Sequence, residues 1–183
     1  SLSDEDIDSL AEAGCHIVHC PESNLKLASG FCEVSKLNKA GINIALGTDG
    51  CASNNDLDMF SEMRTAALLA KAVAEDASAL PAHQALEMAT INGAKALGLE
   101  NMIGSLEAGK YADITAINLD SLNSTPLYNP VSHLVYSTQA SQVSHVWCAG
   151  QLLLDEGSFT KLDSEAIKSD SAKWQAILAD ADR

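Results

Sequence analysis

An α/β fold with parallel strands is predicted from three observations along the 183 residues. Helical and strand-like segments alternate through the first hundred residues in the order helix, strand, helix, strand, helix, as parallel pairing requires. The second strand-like segment, "INIALG" at 42–47, is apolar on both faces, as a parallel strand covered from both sides is. After residue 100 the pattern changes to short β runs broken by glycines. Two parallel strands alone would leave apolar edges with unpaired backbone groups and give their helices too little sheet to cover. The chain therefore reads as part of something larger.

The elements follow in order. "SDEDIDSLAEAG" (3–14) predicts a short helix, with Ser3 as N-cap, acids in the first turn and Gly14 as a stop. "CHIVHC" (15–20) reads as a strand, "EVSKLNKAG" (33–41) as a helix ended by Gly41, and "INIALG" as the second strand. From Asp56, "DLDMFSEMRTAALLAKAVA" spaces Leu57, Phe60, Met63 or Arg64, and Ala67 as a long helix does. Ser53 with Asp56 three residues on has capping-box spacing and predicts that this helix begins near Asn55. "PAHQALEMATINGAKALGL" (81–99) reads as one helix with Pro81 in its first turn. Further on, "IGSLEAGKYADITAINLD" and "VSHVWCAGQLLLDEG" read as β segments, the latter a hairpin turning at Ala149 and Gly150. "NPVSHLVYS" between them reads as a brief helix or turn. The acid-rich tail reads as a terminal helix whose Ile167, Trp174 and Ile177 or Leu178 face inward.

Composition narrows the function. With 46% apolar residues and no apolar run near the ~20 residues of a membrane span, the sequence predicts a soluble globular protein. The acidic start "SLSDEDIDSL" lacks the basic-then-apolar order of a secretory signal. A formal charge of −14 with no Lys/Arg cluster argues against nucleic acid and for a small neutral or zwitterionic ligand. Five cysteines (Cys15, Cys20, Cys32, Cys51, Cys148) contain no C-x-x-C pair and read as reduced core thiols of a cytoplasmic protein.

Among candidate site residues, Asp49 closes a buried strand at its carboxyl end, where α/β folds and barrels place chemistry. An aspartate there also commonly caps a helix or shapes a turn. The downstream cap expected at Ser53 leaves Asp49 free, and makes Ser53, Asn54 and Asn55 loop or cap residues. His16 and His19 are three apart on a strand and point to opposite faces, so both cannot enter one site. His19, nearer the carboxyl end, is the better candidate, although a lone His is more often a core residue than a ligand. His83, His133 and His145 have no partner at ligand spacing. Glu22, Lys26 and Arg64 read as solvated or paired surface charges, and Met59 and Met63 as core filler.

"HCPESNLKLASG" (19–30), "LGTDGCASNNDLDMFSEMRTAALLAK" (46–71) and "MATINGAKALGLENMIGSLEAGKYADITAINLD" (88–120), continued by "NPVSHLVYS" and "VSHVWCAGQLLL", closely resemble the amidohydrolase superfamily. Within it the likeness is to the 5-methylthioadenosine/S-adenosylhomocysteine deaminases and their chlorohydrolase and guanine-deaminase relatives. The resemblance implies a metal-dependent (β/α)8 TIM barrel with a small β-sandwich. Residues 1–98 would be its last two β/α units, 99–158 a sandwich segment with a short helix returning to the barrel, and 159–183 a C-terminal helix. "CHIVHC" would be the seventh strand and "INIALGTD" the eighth.

The resemblance further implies hydrolytic deamination of an adenine-type nucleoside with release of ammonia. Asp49 would ligate one zinc ion, carry a proton and, with His19, meet the substrate, while Ser23 and Asn24 would orient the metal ligands. The family's remaining ligands, an H-x-H pair and two further histidines, with a catalytic Glu, match nothing in this sequence and lie upstream of it. The chain then corresponds to the C-terminal portion of an enzyme, inactive alone. Its partners would be the purine nucleoside, the missing N-terminal part of the barrel and, as a further option, a second copy. Chlorohydrolase or guanine/cytosine-type deaminase activity remains an alternative within the superfamily. A non-catalytic piece that only completes a barrel is an alternative of another class.

Overall fold

Ser3 opens the first helix as its sequence predicts. Its Oγ accepts the Asp6 N–H at 3.2 Å while the Asp6 carboxylate accepts the Ser3 N–H at 2.8 Å, a reciprocal cap over α1 (Asp4–Glu12). The chain leaves α1 through Gly14, at φ +63, and enters β1 (His16–His19). α2 (Pro21–Lys26) and α3 (Val34–Lys39) follow, and then β2 (Asn43–Leu46). α2 has no counterpart in the sequence reading, because six residues starting on a proline are too few to show a period. β1 and β2 pair in parallel, with His16 opposite Asn43 and His19 opposite Leu46. The computed structural model describes residues 2–181.

Two helix boundaries differ from expectation. α4 spans Met59–Ala74, and its N-cap is Asp58, whose side chain accepts the Phe60 N–H at 2.8 Å. Ser53 is therefore no cap, and its capping-box spacing to Asp56 is coincidental: Leu57 takes φ +52, which breaks any helix begun at Asn55. The segment 81–99 forms two helices, α5 (Ala82–Met88) and α6 (Ile91–Ala96), with Pro81 as the cap of the first. The break at Thr90 (φ −132, ψ −98) lets Asn92 reach β2. The Asn92 amide donates to the Ile44 carbonyl at 3.0 Å, and the Asn43 amide donates to the Asn92 carbonyl at 3.0 Å.

The second half carries a four-stranded antiparallel sheet in the order β3 (Ile114–Ile117), β4 (Val143–Cys148), β5 (Gln151–Asp155), β6 (Ser158–Phe159). The turn between β4 and β5 is at Ala149 and Gly150, both at positive φ (+48 and +77), as a tight hairpin of this hand requires. Between β3 and β4, α7 (Pro130–Tyr136) is capped by Asn129, which accepts the Ser132 N–H at 3.0 Å. α8 (Ser164–Ala181) overturns one expectation. Ile167, Trp174, Ile177 and Leu178 are 50–63% exposed and residues 164–180 are all exposed, because no described element covers the stripe. The expected C-terminal unit also includes residues 182–183, which lie outside the described residues.

The core joins Ile7 of α1, Val34 and Leu37 of α3, Ile44 and Leu46 of β2, Met63, Ala66, Ala67 and Ala70 of α4, Ala85 and Met88 of α5, and Val135 of α7. The alanines of α4 keep that helix close to α5 and α7, whose buried faces meet it. Most of the cysteines lie outside the core, contrary to expectation: Cys15, Cys51 and Cys148 are exposed, Cys20 and Cys32 half-buried, and all five are free. The strand ends and turns that carry Cys15, Cys51 and Cys148 face outward, whereas Cys32 packs against the core. No helix among the described residues is long and apolar enough to cross a membrane.

Gly104 sets one tight contact, between the turn after α6 and that helix. At φ +88, a Cβ there would stand 2.7 Å from Ala94 Cβ and 3.0 Å from Ile91 Cα. Gly104→Ala is therefore expected to lower stability by about 1–3 kcal/mol. Thermal unfolding followed by circular dichroism checks this, and an unchanged midpoint would contradict the contact.

Candidate functional site

The parallel register brings the carboxyl ends of β1 and β2 together. Pairing continues one step past the strands, where the Gly47 N–H donates to the His19 carbonyl at 3.0 Å. A Cβ at 47 would lie 2.9 Å from Val18 Cγ1, so a larger residue there would have to push the exposed Val18 side chain aside. Two residues on, Asp49 adopts φ +61, a left-handed conformation that short polar side chains tolerate and others resist. Its Oδ2 accepts two hydroxyls, Ser53 Oγ at 2.7 Å and Ser23 Oγ at 2.8 Å. These two bonds, with the Gly50 N–H, hold the exposed Asp49 carboxyl below the usual carboxylate range. Among the described residues no side chain donates to its Oδ1.

Ser23 and Ser53 come from different elements, α2 and the loop after β2, and a polar network beneath ties those elements to α4. Glu62, fully buried on α4, accepts the Glu22 N–H on Oε2 at 3.2 Å and the Asn54 amide on Oε1 at 2.6 Å. Glu22 Oε1 in turn accepts Ser61 Oγ at 2.5 Å and Thr65 Oγ1 at 2.8 Å. Lys26 donates to the Ala52 carbonyl at 3.0 Å and to Asn55 Oδ1 at 2.6 Å. Arg64 Nη2 donates to the Thr138 carbonyl at 2.5 Å. Glu22, Lys26 and Arg64 are thus joints between elements rather than isolated surface charges. Their partners lie 26 to 74 residues away in sequence, beyond any local spacing rule. A cleft of about 240 Å³ lined by Glu22, Lys26, Ser53, Asn54, Asn55 and Asp56 opens beside the network.

Of the sequence-predicted site residues, Ser23 lies against Asp49. His19 is 3% exposed, and burial pushes its imidazole down to about 4, so the ring is neutral at neutral pH. Neither His19 nor Asn24 forms a hydrogen bond with Asp49 among the described residues. Asn24 lines a separate cleft with Leu2, Ile7 and Phe31. His16 is exposed, its Nδ1 2.8 Å from the Asn43 amide. Sequence reasoning missed the contact of Ser53 with Asp49 and missed Glu62 altogether. Glu62 carried a signal: it falls three residues after Met59 and four before Ala66, within the buried stripe of α4, where a carboxylate is out of place.

An ionised carboxylate with one oxygen held by hydroxyls and the other free of side-chain donors fits a single ligand position on zinc. Among the described residues no group of three His, Cys, Asp or Glu converges to complete such a site.

Burial pushes the Glu62 carboxyl up from 4.5 to about 7, opposed by the hydrogen bonds from the Glu22 N–H and the Asn54 amide. A folded-state pKa above the unfolded one means that the neutral acid is favoured by folding. Its contribution to stability is complete below about pH 4.5 and is lost as pH rises through about 7. The melting-point difference between the parent protein and Glu62→Gln, which cannot ionise, is therefore expected to move against the parent from pH 5 to pH 8. His19 titrates in the opposite sense but is common to both proteins and cancels. A difference independent of pH would show that Glu62 does not titrate in this window.

The model of the amidohydrolase family matches residues 1–153. The chain is 54% identical over 176 residues to the 5-methylthioadenosine/S-adenosylhomocysteine deaminase of Teredinibacter turnerae, covering 96% of this chain and 40% of that protein. It is similar to the crystal structure of an adenosine deaminase from Xanthomonas campestris with bound zinc, at 49% identity and a TM-score of 0.95, covering 98% of this chain and 41% of that one. It is also similar to the zinc complex of the atrazine chlorohydrolase of Arthrobacter aurescens, at 28% identity and a TM-score of 0.88, covering 94% and 38%. The chain thus spans about two fifths of the length of these relatives. It belongs to the amidohydrolase family.

Proposed function

We propose that this chain is the C-terminal portion of a zinc-dependent enzyme that deaminates an adenine-type nucleoside, 5-methylthioadenosine or S-adenosylhomocysteine, with release of ammonia. The observation that carries the reading is the Asp49 carboxylate, held by Ser23 and Ser53 at the carboxyl end of two parallel strands. The substrate class is taken from the names of the relatives. β1 and β2 then act as the last two strands of a (β/α)8 barrel, the antiparallel sheet as a share of a sandwich, and the missing strands supply the other zinc ligands. Residues 1–98, 99–158 and 159–183 correspond to the barrel, sandwich and terminal-helix parts. The exposed, free cysteines suit a reducing cytoplasm.

When bound, zinc supplies Lewis acidity that brings the pKa of a water molecule from about 15.7 to near 7. Asp49 would hold the ion through its carboxylate and, kept ionised by the two hydroxyls, take the proton that the water loses. It would return that proton to the departing amine. The neutral His19 imidazole, at the end of the adjacent strand, is almost wholly buried, so any contact with the water or the purine would be through the small part of its edge that is exposed.

In the full-length protein, Asp49→Ala is expected to abolish turnover and to reduce zinc measured by atomic emission, and retained zinc with normal turnover would defeat the assignment. A panel of 5-methylthioadenosine, S-adenosylhomocysteine, guanine, cytosine and a chlorotriazine identifies the leaving group. Ammonia from the first two alone is the expected result, whereas chloride release would favour the chlorohydrolase reading, which the 28% identity supports more weakly.

A further inference from the structure

We infer that Glu62 is the positioning residue of the Asp49 site: one buried carboxylate fixes the two elements whose hydroxyls hold Asp49. This rests on the reading of Asp49 as metal ligand and proton carrier. Each Glu62 oxygen receives one donor, and the two donors belong to the two elements in question. The Glu22 N–H precedes Ser23 by one residue on α2, and the Asn54 amide follows Ser53 by one residue in the loop after β2. Moving either element by an ångström would open a Ser–Asp49 bond that is now 2.7–2.8 Å long.

The polarity of this arrangement is fixed. Asn54 Oδ1 accepts the Leu57 N–H at 3.0 Å and the Asp56 N–H at 3.3 Å, so its Nδ2 must face Glu62 and cannot be turned around without losing both. The Glu22 N–H, a backbone donor, is equally fixed. Position 62 must therefore present two acceptors, which Glu62 does as a carboxylate and, through the remaining lone pairs of both oxygens, can do as the neutral acid, whereas the nitrogen of a carboxamide only donates. That explains why a carboxylate occupies a fully buried position in the apolar stripe of α4, where its desolvation is costly. The Glu22 side chain reinforces the α2 arm through Ser61 and Thr65, on the turns of α4 that flank Glu62. Lys26 also links α2 to the loop, but from the exposed side, where water competes for its bonds.

The test uses full-length enzyme loaded with zinc. Glu62→Gln sets a donor against a donor, and its expected effect is a fall of about tenfold to a hundredfold in kcat and in zinc affinity measured by chelator competition, the range typical for groups that orient metal ligands. KM should change by less than about threefold, since Glu62 is fully buried and does not face substrate. Adding Asn54→Asp to Glu62→Gln reverses the donor and the acceptor of that pair and restores its complementarity. The double variant should recover most of both losses. Thr65→Val cuts only the Glu22 arm and should give a smaller fall of the same kind, which keeps the inference testable if Glu62→Gln yields no folded enzyme. Parental kcat and zinc affinity in Glu62→Gln, or equal losses in the single and double variants, would overturn the inference. Asp49→Asn separates the two levels. If it retains zinc and turnover, the Asp49 reading fails and takes this inference with it; if it loses both while Glu62→Gln does not, only the role of Glu62 falls.

Discussion

The parallel register of β1 and β2 is the constraint on which the rest of the structure depends. With His19 opposite Leu46, both strands end at the same level, and the segments leaving them start side by side. Ser23 and Asp49, 26 residues apart in sequence, are brought to the same level by that register. A slip of one residue would turn every β2 side chain to the other face and carry Asp49 away from α2. The register is locked from both ends. Gly47 admits the last backbone bond to His19, and the Asn43 and Asn92 amides hold the start of β2 against α6.

Above that register, the site consists of an exposed charge on a buried polar foundation. Surface hydrogen bonds compete with water and contribute little singly, whereas a bond inside the core fails only at the cost of an unsatisfied group. The exposed Asp49 thus inherits its geometry from Glu62, Asn54 and Glu22, none of which touches it. The same low-dielectric setting leaves Glu62 undecided between charged and neutral forms near neutral pH. Local stability beneath the site is accordingly tied to acidity even though Asp49 itself stays ionised.

What the sequence disclosed follows from the range of the forces involved. α1 was legible because Ser3 and Asp6 satisfy each other three residues apart, and the β4–β5 hairpin because Ala149 and Gly150 mark a turn between apolar runs. The same local logic misled at Ser53 and Asp56, whose spacing imitates a cap that Asp58 provides. It also misled at Thr90, where the interruption of an otherwise helical run depends on Asn92 reaching a strand some fifty residues earlier. Asp49 stood out because an apolar strand ends in a carboxylate. Glu62 did not, although it interrupts the apolar stripe of α4, because a charge in a helix is ordinarily solvated. The inward-facing reading of α8 failed since periodicity reports an apolar stripe and says nothing of what covers it.

That uncovered stripe has a colloidal consequence. Ile167, Trp174, Ile177 and Leu178 face solvent on α8, and among the described residues the outer edges of β1 and β2 pair with no further strand. Such surfaces attract their own kind at short range, while a formal charge of −14 keeps copies apart at longer range. The repulsion acts over about 8 Å at physiological ionic strength. It vanishes as pH approaches the isoelectric point near 4.5. Mild acid or high salt thus removes the barrier and leaves the attraction, so the isolated chain keeps best in dilute buffer well above that pH.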